Sequence, residues 1–390
     1  MRCEKVFEEI YRKEPEGISF CPYRVCPLGA HTDHNLGKVT GFALDKGINI
    51  AYRPKMNGVV ELCSMQFEKR AQWHVLSTPQ IRQMDWADYL RGVTIELSKK
   101  YPISVGVSGV IEGSLPIGGL SSSAALCISF LNALCKVNGI HLEPEEIISI
   151  AYNAENSYMG VGCGRLDQSC EVYCRKDCLL HLDCQNGQYE LLPRAAGMKD
   201  FDILIFFSGL ERNLASSAFN MRVDEARSAA YALKAYSGMD YGKFAETNLR
   251  EVPVEVFRRY AGQLPLNWMK RAEHWYSESS RVEAGVEAWK KGDIEEYGRL
   301  IFESGKSSIC NWETGSDELK CLYDIMTRTE GIYGGRFSGA GFKGCSMALV
   351  DPAYTEQVRE TVRKEYLAAF PQYSETYMSA VCHSSDGVVI

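Results

Sequence analysis

The segment from Gly118 to Ala125 constrains the fold more strongly than any other part of the sequence. Two glycines and a leucine are followed by three serines, and an apolar run then continues to Leu134. Glycines let a backbone turn tightly and approach a ligand closely, and serine suits the start of a helix, where several backbone N–H groups lack partners. Such a place binds phosphate well. The segment predicts a phosphate-binding loop that opens a buried helix or, taken alone, an ordinary helix cap, since it lacks the lysine of a Walker loop.

The size and charge of the chain exclude several classes of function. With 390 residues and 45% hydrophobic content, the chain can bury a large core, and its length favours two domains. A net charge of -7 and the lack of a basic stripe argue against nucleic acid as a partner. No apolar stretch approaches the length of about 20 residues that spans a membrane, and residues 1–16 lack the apolar segment of a signal peptide. We therefore expect a cytoplasmic protein without a membrane partner, and the sequence indicates no oligomeric state.

Fifteen cysteines are many for a chain of this length, and they are interpreted as reduced thiols. Five of them lie between Cys163 and Cys184, but none of these shows the C-x-x-C spacing of structural zinc sites. Because cysteine also packs as a small apolar residue, we favour packing over a zinc site for this cluster.

Periodicity and turn residues predict a mixture of helices and strands. Valines at two-residue spacing predict a strand over Ser104–Ile111, and the nearly uniform apolar character of Ser121–Cys135 predicts a buried helix. The other expected elements are strands and tight loops over residues 17–53, a helix with Pro144 in its first turn, a linker over Arg194–Asp200, a buried strand over Ile203–Phe207, long helices that include Met269–Val286, and a glycine-rich strand-and-loop unit over Tyr333–Val350. The chain is therefore expected to form two α+β domains joined near residue 197, with a ligand site between them.

One arginine, two histidines and one aspartate fall within eleven residues of a loop that contains glycine and proline. They are Arg24, His31, Asp33 and His34. A carboxylate accepts hydrogen bonds from two hydroxyls, and a histidine can both donate and accept. The set is therefore suited to binding a polyol. The alternatives are a metal site and a polar loop stabilised by its own hydrogen bonds.

Two carboxylates flank a second glycine-rich segment, Gly160–Gly164. Asp167 follows this segment and is interpreted either as a turn residue or as a general base beside the phosphate loop. Glu155 lies at the margin of the apolar stripe of the preceding helix, so a solvent-exposed carboxylate is favoured over one that holds Mg²⁺. A third segment, Gly334–Gly344, has five glycines in eleven residues and predicts a backbone that approaches a ligand or a neighbouring loop.

Together these segments resemble the GHMP family of small-molecule kinases and, within it, the galactokinases, over nearly the whole chain. The family shows an early Arg-Val-x-x-x-Gly-Glu-His-Thr-Asp-Tyr motif, a middle Pro-x-Gly-x-Gly-Leu-Ser-Ser-Ser-Ala motif and a late glycine-rich unit. This sequence has a counterpart of each in the same order, at Arg24–His34, Pro116–Ala124 and Gly334–Gly344. The resemblance implies a two-domain α+β fold, with a ribosomal-S5-like N-terminal domain over residues 1–197 and a ferredoxin-like α/β C-terminal domain over residues 198–390.

The resemblance also implies that the protein uses ATP and Mg²⁺. By matching position, the phosphates would be cradled by Gly118, Gly119, Leu120, Ser121, Ser122 and Ser123. Ser123 and Glu155 would hold Mg²⁺, and the adenine would lie in an apolar pocket near Trp86 and Tyr89. Asp167 would take the proton from the C1 hydroxyl of a sugar, and Arg24 would lie beside Asp167 and the transferring phosphoryl group.

The sugar-binding positions depart from the galactokinase pattern. The resemblance implies that the sugar hydroxyls are contacted by His31, Asp33 and Gly164. However, Ala30 replaces the glutamate that binds the C6 hydroxyl in galactokinases, and His34 replaces a tyrosine. Phe219 stands where a further tyrosine is expected, which leaves one sugar contact without its usual residue.

The alanine at position 30 changes the charge that a sugar would meet. Two like charges about 4 Å apart cost about 4 kcal/mol at an effective dielectric constant of about 20, which is roughly three decades of affinity. A glutamate would therefore reject a sugar with a C6 carboxylate, whereas Ala30 leaves room for it, and His34 and Arg165 are candidate cations for that group. Four segments are more similar to plant galacturonokinases than to galactokinases, namely Pro22–His34, Phe207–Leu210, Arg271–His274 and Arg336–Cys345. This resemblance implies phosphorylation of D-galacturonate at C1. The alternatives are a kinase for galactose or another hexose, and a galactokinase-like sensor that binds sugar and ATP without turnover.

Overall fold

The computed structural model of the protein describes residues 2–210, 215–342 and 344–388. Its helices are α1 Arg2–Tyr11, α2 Asp88–Ser98, α3 Ser122–Asn138, α4 Pro144–Asn153, α5 Leu166–Tyr173, α6 Ala215–Ser237, α7 Val254–Tyr260, α8 Leu266–Lys291, α9 Ile294–Cys310, α10 Asp317–Met326 and α11 Thr355–Ala369. Its strands are β1 Gly17–Val25, β2 Lys38–Lys55, β3 Val59–Ser64, β4 Ala71–His74, β5 Gly106–Gly113, β6 Cys178–Asp183, β7 Tyr189–Pro193, β8 Asp202–Phe207, β9 Ile332–Phe337, β10 Cys345–Val350, β11 Met378–Cys382 and β12 Ser384–Ser385.

The first sheet follows the path β4-β3-β5-β2-β6-β7, with β1 and β12 also paired to β2. Every pairing is antiparallel except that of β3 with β5. The length of β2, 18 residues, makes this arrangement possible. Its successive parts pair with β6 at residues 38–41, with β12 at Ala43 and Leu44, and with β5 at residues 48–55. Strand β12 therefore belongs to the first sheet, although it follows all strands of the second sheet in the sequence.

The second sheet is antiparallel, with the order β11-β8-β10-β9. Side chains of β8 alternate between two cores, as expected for a strand covered on both faces. Ile203, Ile205 and Phe207 belong to the main core, whereas Leu204 and Phe206 pack with α10 and α11. The predicted buried strand is confirmed. The main core also contains side chains of β2 and α3, so one apolar core joins the two sheets.

Helix α3 is buried along most of its length, as its apolar composition predicts. It ends at Gly139, whose φ of 64° lies in the left-handed region that favours glycine after a helix. Helix α4 has Pro144 in its first turn, also as predicted, and a capping box formed by Glu143 and Glu146. The strand predicted over Ser104–Ile111 is confirmed as β5.

The connection between the two sheets has no helix or strand over residues 194–200, as predicted. The expected domain boundary at residue 197 falls in this connection, but β12 belongs to the first sheet although it lies beyond the boundary. The division into residues 1–197 and 198–390 therefore stays a prediction. Within the described ranges, no helix is long and apolar enough to cross a membrane.

Candidate active site

A cavity of about 470 Å³ lies where the segments singled out in the sequence meet. Its lining includes most of the predicted site residues, namely Arg24, Ala30, His31, Asp33, Trp86, Tyr89, Gly118, Gly119, Ser121, Ser122, Ser123, Glu155, Asp167 and Phe219. The lining does not include Leu120, His34, Gly164 and Arg165. The fold thus brings together predicted site residues that are up to 195 positions apart in the sequence, from Arg24 to Phe219.

Arg24 joins Asp167 to the loop before α3. Its Nε atom donates to Oδ1 of Asp167 at 2.7 Å, and its Nη1 atom donates to the carbonyl of Gly119 at 3.1 Å. The hydroxyl of Ser121 donates to the other carboxylate oxygen of Asp167. Burial lowers the pKa of Arg24, but the adjacent charge of Asp167 outweighs burial and raises that pKa above its ordinary value. Arg24 therefore stays charged and fixes the carboxylate at the first turn of α5.

Three residues of the loop before α3 adopt left-handed backbone conformations. Their φ angles are 138° at Gly118, 84° at Gly119 and 60° at Ser121. Ser121 occupies the predicted cap position, yet its hydroxyl binds Asp167 and makes no capping hydrogen bond. The first N–H groups of α3 are therefore left without a side-chain cap at the wall of the cavity. A helix start of this kind favours an anionic ligand.

The late glycine-rich segment packs directly on this loop. A Cβ atom added at Gly344 would lie 2.7 Å from the carbonyl carbon of Gly118, and one added at Gly339 would lie 2.9 Å from Cα of Gly119. Both distances are shorter than van der Waals contact, so the two backbones approach each other only because these positions are glycine. The prediction that this segment approaches a neighbouring loop is confirmed.

Glu155 lies inside the wall of the cavity, so the prediction of a solvent-exposed carboxylate is wrong. Residues 154–158 form a π-helical turn, whose wider spacing rotates side chains away from their α-helical positions. Glu155 is only 5% exposed and accepts hydrogen bonds from Gln168 Nε2 and from Ser123. Burial raises its pKa to about 7, the charge of Asp167 adds to this, and Ser123 opposes it. A cation that approached Glu155 would stabilise its ionised form.

Asp33 and Gly164 fit each other closely. A Cβ atom added at Gly164 would collide with the Oδ2 atom of Asp33, so Gly164 shapes the site without lining the cavity. Burial raises the pKa of Asp33 to about 6, and the charge of Asp167 contributes, while backbone hydrogen bonds from His34 and Leu166 lower it. Asp33 and Asp167, two of the three carboxyl groups that line the cavity, therefore influence each other, and Arg24 holds Asp167.

His31 adopts a φ of 64°, which is uncommon for a residue with a Cβ atom. Its ring stacks on Trp312 with a centroid distance of 5.3 Å and an interplanar angle of 8°. Burial lowers the pKa of His31 well below its ordinary value, and the nearby charge of Arg336 adds to the effect. The buried Nε2 atom of this neutral ring has no hydrogen-bond partner among the residues that the structure describes. His31 can therefore still bind a hydroxyl or carboxylate of a ligand.

The two candidate cations for a sugar carboxylate are not placed to act as such. Burial, with the charge of Arg227, lowers the pKa of His34 to about 3, and the ring lies edge-on to Phe219 at 6.1 Å. Arg165 pairs with Glu145 at the end of α4 nearest Pro144, outside the cavity lining. Their assignment as cationic partners is therefore corrected: His34 is neutral, and Arg165 is held elsewhere by a carboxylate of another helix.

Aromatic side chains form one part of the apolar lining of the cavity. Trp86 and Tyr89 lie there as predicted, and Phe67 lies nearly parallel to Trp86, with an interplanar angle of 5° and a centroid distance of 6.1 Å. The Nε1 atom of Trp86 donates to the carbonyl of Lys69 at 2.7 Å, which orients the indole. No sequence motif contains Phe67, so nothing in the sequence indicated its place in the site.

Comparison with known proteins gives matches to two family models. The model of the GHMP kinases N terminal domain matches residues 82–175, and the galactokinase galactose-binding signature matches residues 5–54. A galacturonokinase from Arabidopsis thaliana is 37% identical, over 95% of this chain and 92% of its own length. A galactokinase from Roseiflexus sp. (strain RS-1) is 32% identical, over 98% of this chain and 95% of its own length.

Solved structures share the architecture of the whole chain. The crystal structure of Lactococcus lactis galactokinase complexed with galactose matches with a TM-score of 0.88 at 26% identity, covering 98% of this chain and 97% of that one. The Methanococcus jannaschii mevalonate kinase structure matches with a TM-score of 0.64 at 15% identity, covering 94% of this chain and 98% of that one, which is a likeness of fold alone. The predicted α+β fold class is confirmed.

Proposed function

The chain belongs to the GHMP kinase family as an ATP-dependent sugar kinase, and from this membership we propose that it phosphorylates the C1 hydroxyl of D-galacturonate to give galacturonate 1-phosphate. The observation that carries the proposal is Ala30, which lines the cavity where galactokinases have a glutamate. Without that glutamate, no negative side chain at this position repels a C6 carboxylate. The 37% identity to a protein named galacturonokinase supports the same substrate.

In the proposed reaction, the oxygen of the C1 hydroxyl forms a bond to the γ-phosphorus of ATP while Asp167 takes the hydroxyl proton. The bond between the γ-phosphorus and the bridging oxygen breaks, and ADP leaves. Phosphoryl transfer depends mainly on positioning and on stabilisation of charge. Arg24 serves both needs, because it holds the carboxylate of Asp167 and reaches the loop at Gly119. Ser121 holds the second carboxylate oxygen.

We assign ATP to the loop Gly118–Ser123 and the adjoining apolar pocket. The uncapped N–H groups at the start of α3 favour phosphate oxygens. Trp86 and Tyr89 offer apolar surface for the adenine, and Phe67 extends it. Leu120 contributes through its backbone, since its carbonyl accepts from the N–H of Arg24 at 3.3 Å.

The residues beside the loop also fit Mg²⁺. Glu155 offers a buried carboxylate, and Ser123, which donates a hydrogen bond to it, offers a hydroxyl oxygen. Mg²⁺ is usually bound by one or two carboxylates together with phosphate oxygens and waters. When bound, Mg²⁺ would neutralise part of the phosphate charge of ATP. We propose Ser123 and Glu155 as its protein ligands.

Replacing Glu155 with glutamine is expected to raise the Mg²⁺ concentration for half-maximal activity by about tenfold or more, because a charged oxygen ligand is lost. The glutamine still accepts the hydrogen bond from Ser123, so the fold is kept. Rates are titrated with free Mg²⁺ at saturating sugar and ATP. The matched control is Glu145→Gln, because Glu145 is an exposed carboxylate at the start of α4. An unchanged Mg²⁺ dependence in Glu155→Gln would remove this residue from the metal site.

Two buried guanidinium groups lie near His31. Arg336 is fully buried and close enough to His31 to lower the pKa of that ring, and Arg24 acts in the same direction. We propose that these two arginines supply the potential that attracts a C6 carboxylate. His31, with its proton on Nε2, then donates a hydrogen bond to the carboxylate.

Affinity for the sugar is expected to fall at acidic pH because of Asp33. Its pKa of about 6, raised mainly by burial, means that the carboxyl group becomes protonated between pH 7 and pH 5 and loses its capacity to accept two hydroxyls. For one such group, the sugar Kd rises about tenfold over this range. Calorimetry without nucleotide measures the change. Asp33→Asn should bind weakly at pH 7 and show no pH dependence, and an equally steep profile in that variant would assign the titration to another group.

A coupled assay of ADP release over a panel of hexoses and uronic acids tests the proposed function. We expect the highest kcat/KM with galacturonate. Faster turnover of galactose would make the chain a galactokinase. Binding of a sugar without ADP release would indicate the non-catalytic sensor, against which the intact Ser121–Ser123 loop and Asp167 argue.

The domain boundaries and the cellular location are also proposals. We propose residues 1–197 and 198–390 as the two domains, because the sheet changes at the connection between them. We propose a cytoplasmic location, since all fifteen cysteines are free thiols, as expected in a reducing compartment.

A further inference from the structure

The loop that carries Ala30 has unusual backbone angles on both sides of that residue. Gly29 has a φ of 94° and His31 a φ of 64°. The left-handed conformation costs free energy for a residue with a Cβ atom, and such strain persists only where the surrounding structure holds it. Part of the support is local, because Thr32 Oγ1 donates to the carbonyl of Gly29 at 2.7 Å. Two further polar groups of the loop, the N–H of Gly29 and the carbonyl of Ala30, have partners far away in the sequence.

The carbonyl of Ala30 is bound by His274 of α8, whose Nε2 atom lies 2.9 Å from the oxygen. A carbonyl oxygen only accepts, so the neutral ring carries its proton on Nε2. Its Nδ1 atom then accepts from the hydroxyl of Ser307 at 2.9 Å, and Asn311 donates to that hydroxyl at 3.2 Å. This chain of hydrogen bonds from α9 fixes which nitrogen of His274 faces the loop.

The N–H of Gly29 is bound by Glu278, one turn further along α8, at 2.7 Å. The same carboxylate accepts from Ser304 at 2.6 Å and from Arg281 at 2.8 Å, and Arg336 lies 3.7 Å away. Burial raises the pKa of Glu278, but the charges of Arg281 and Arg336 outweigh it and lower the pKa below its ordinary value. Glu278 is therefore an ionised acceptor with a fixed orientation.

We propose that His274 and Glu278 are positioning residues for the sugar loop. Four residues apart on α8, they lie on the same face of the helix and bind polar groups of two consecutive loop residues. Neither lines the cavity, so each would act through the loop backbone and through His31 and Asp33 beyond it. The inference rests on the proposed function only in taking this loop as sugar-binding, whichever sugar that is.

Two substitutions of His274 by an amide residue test its hydrogen bond to the loop. Both keep a polar side chain, but only one of them can still reach the carbonyl of Ala30. In His274→Gln the amide nitrogen replaces Nε2 and can still donate to the carbonyl of Ala30. In His274→Asn the amide group replaces Nδ1, keeps the contact with Ser307 and does not reach the loop. We expect His274→Asn to raise the KM for the sugar about three- to tenfold, as the loss of one buried hydrogen bond predicts, and His274→Gln to stay within about twofold of the wild type.

The KM for ATP is the internal control, since the phosphate loop has no contact with His274 in the described structure. It should change by less than about twofold in both variants. Sugar binding without catalysis is followed by the rise in Tm that the sugar induces, which should shrink in His274→Asn and persist in His274→Gln. Equal weakening of sugar binding in the two variants, or a parallel rise in the KM for ATP, would overturn the inference.

If His274→Asn does not fold, Ser307→Ala provides the test, because it removes the hydroxyl that binds Nδ1 and leaves the imidazole in place. We expect a rise of about two- to threefold in the KM for the sugar, and an unchanged value would overturn the inference. The sugar used in all these tests is the one that the wild-type enzyme turns over with the highest kcat/KM. If galactose proves to be the substrate, the proposed specificity fails, whereas the positioning role is tested with galactose in the same way.

Discussion

Asp167→Asn is expected to lower kcat by about 10²- to 10⁴-fold, the contribution of a well-positioned general base. Asparagine keeps the shape of the side chain, and its Oδ1 atom can still accept from Arg24 Nε, which lies 2.7 Å from the native oxygen. Its nitrogen can donate to Ser121, because a hydroxyl also accepts. What is lost is the capacity to take the proton of the C1 hydroxyl. Affinity for the sugar, measured by calorimetry, should stay within a few-fold of the wild type.

Asp167→Asn also removes a charge, and this is expected to change the stability of the protein. Arg24 is 4% exposed and would lose its ionised partner, so the Tm should also fall, and rates are compared at a temperature where both proteins are folded. Asp177→Asn is the control, because Asp177 is an exposed aspartate with a φ of 59°, which asparagine tolerates. If Asp167→Asn keeps more than about a tenth of the wild-type kcat, Asp167 is not the general base.

Ala30→Glu is expected to shift specificity by roughly three decades away from galacturonate, measured as the ratio of kcat/KM for galacturonate to that for galactose. Ala30 is 7% exposed and lines the cavity, so a carboxylate introduced there would meet the C6 carboxylate of the sugar with little intervening water. Galactose carries no charge at C6 and can donate its hydroxyl to the new glutamate. In Ala30→Glu the turnover of galactose should therefore fall far less than that of galacturonate, or should rise.

Ala30→Gln separates charge from size, because glutamine has the shape of glutamate without its charge. We expect this variant to slow both sugars to a similar extent and to change the ratio by less than about tenfold. An unchanged ratio in Ala30→Glu would contradict the proposed substrate. So would an equal shift in Ala30→Gln, which would assign the effect to steric exclusion.

The parts of the site that sequence predicts are those fixed by short-range geometry. The Gly118–Ser123 loop must open a helix because glycine and serine precede an apolar run, and the structure places both as expected. Asp167 follows a glycine-rich break and reaches the same loop through Ser121. The loop and the break are local patterns that depend on backbone angles, whereas the hydrogen bond between Ser121 and Asp167 joins residues 46 positions apart.

Other residues depend on contacts that no local pattern contains. Glu155 is buried and lies in a π-helical turn, a local geometry that a regular period of 3.6 residues does not foresee. Arg165 is drawn away from the cavity by Glu145, a residue of a different helix. His274 lies in a segment that resembles the family, but its role depends on the carbonyl of Ala30, 244 positions earlier.

The pairing of β12 with β2 also determines when the first sheet receives its last described strand during synthesis. Ser385 donates to the carbonyl of Leu44, 341 positions earlier, and Gly387 and Val388 donate to carbonyls at the end of α5, the helix that begins beside Asp167. A ribosome that adds about 5–20 residues per second delivers β12 roughly 20 to 70 s after β2. During that interval the first sheet lacks a strand, and the carbonyls of Glu171 and Cys174 at the end of α5 lack the N–H donors of Gly387 and Val388. A nascent chain that already contains Asp167 and Glu155 is therefore expected to stay inactive until β12 emerges.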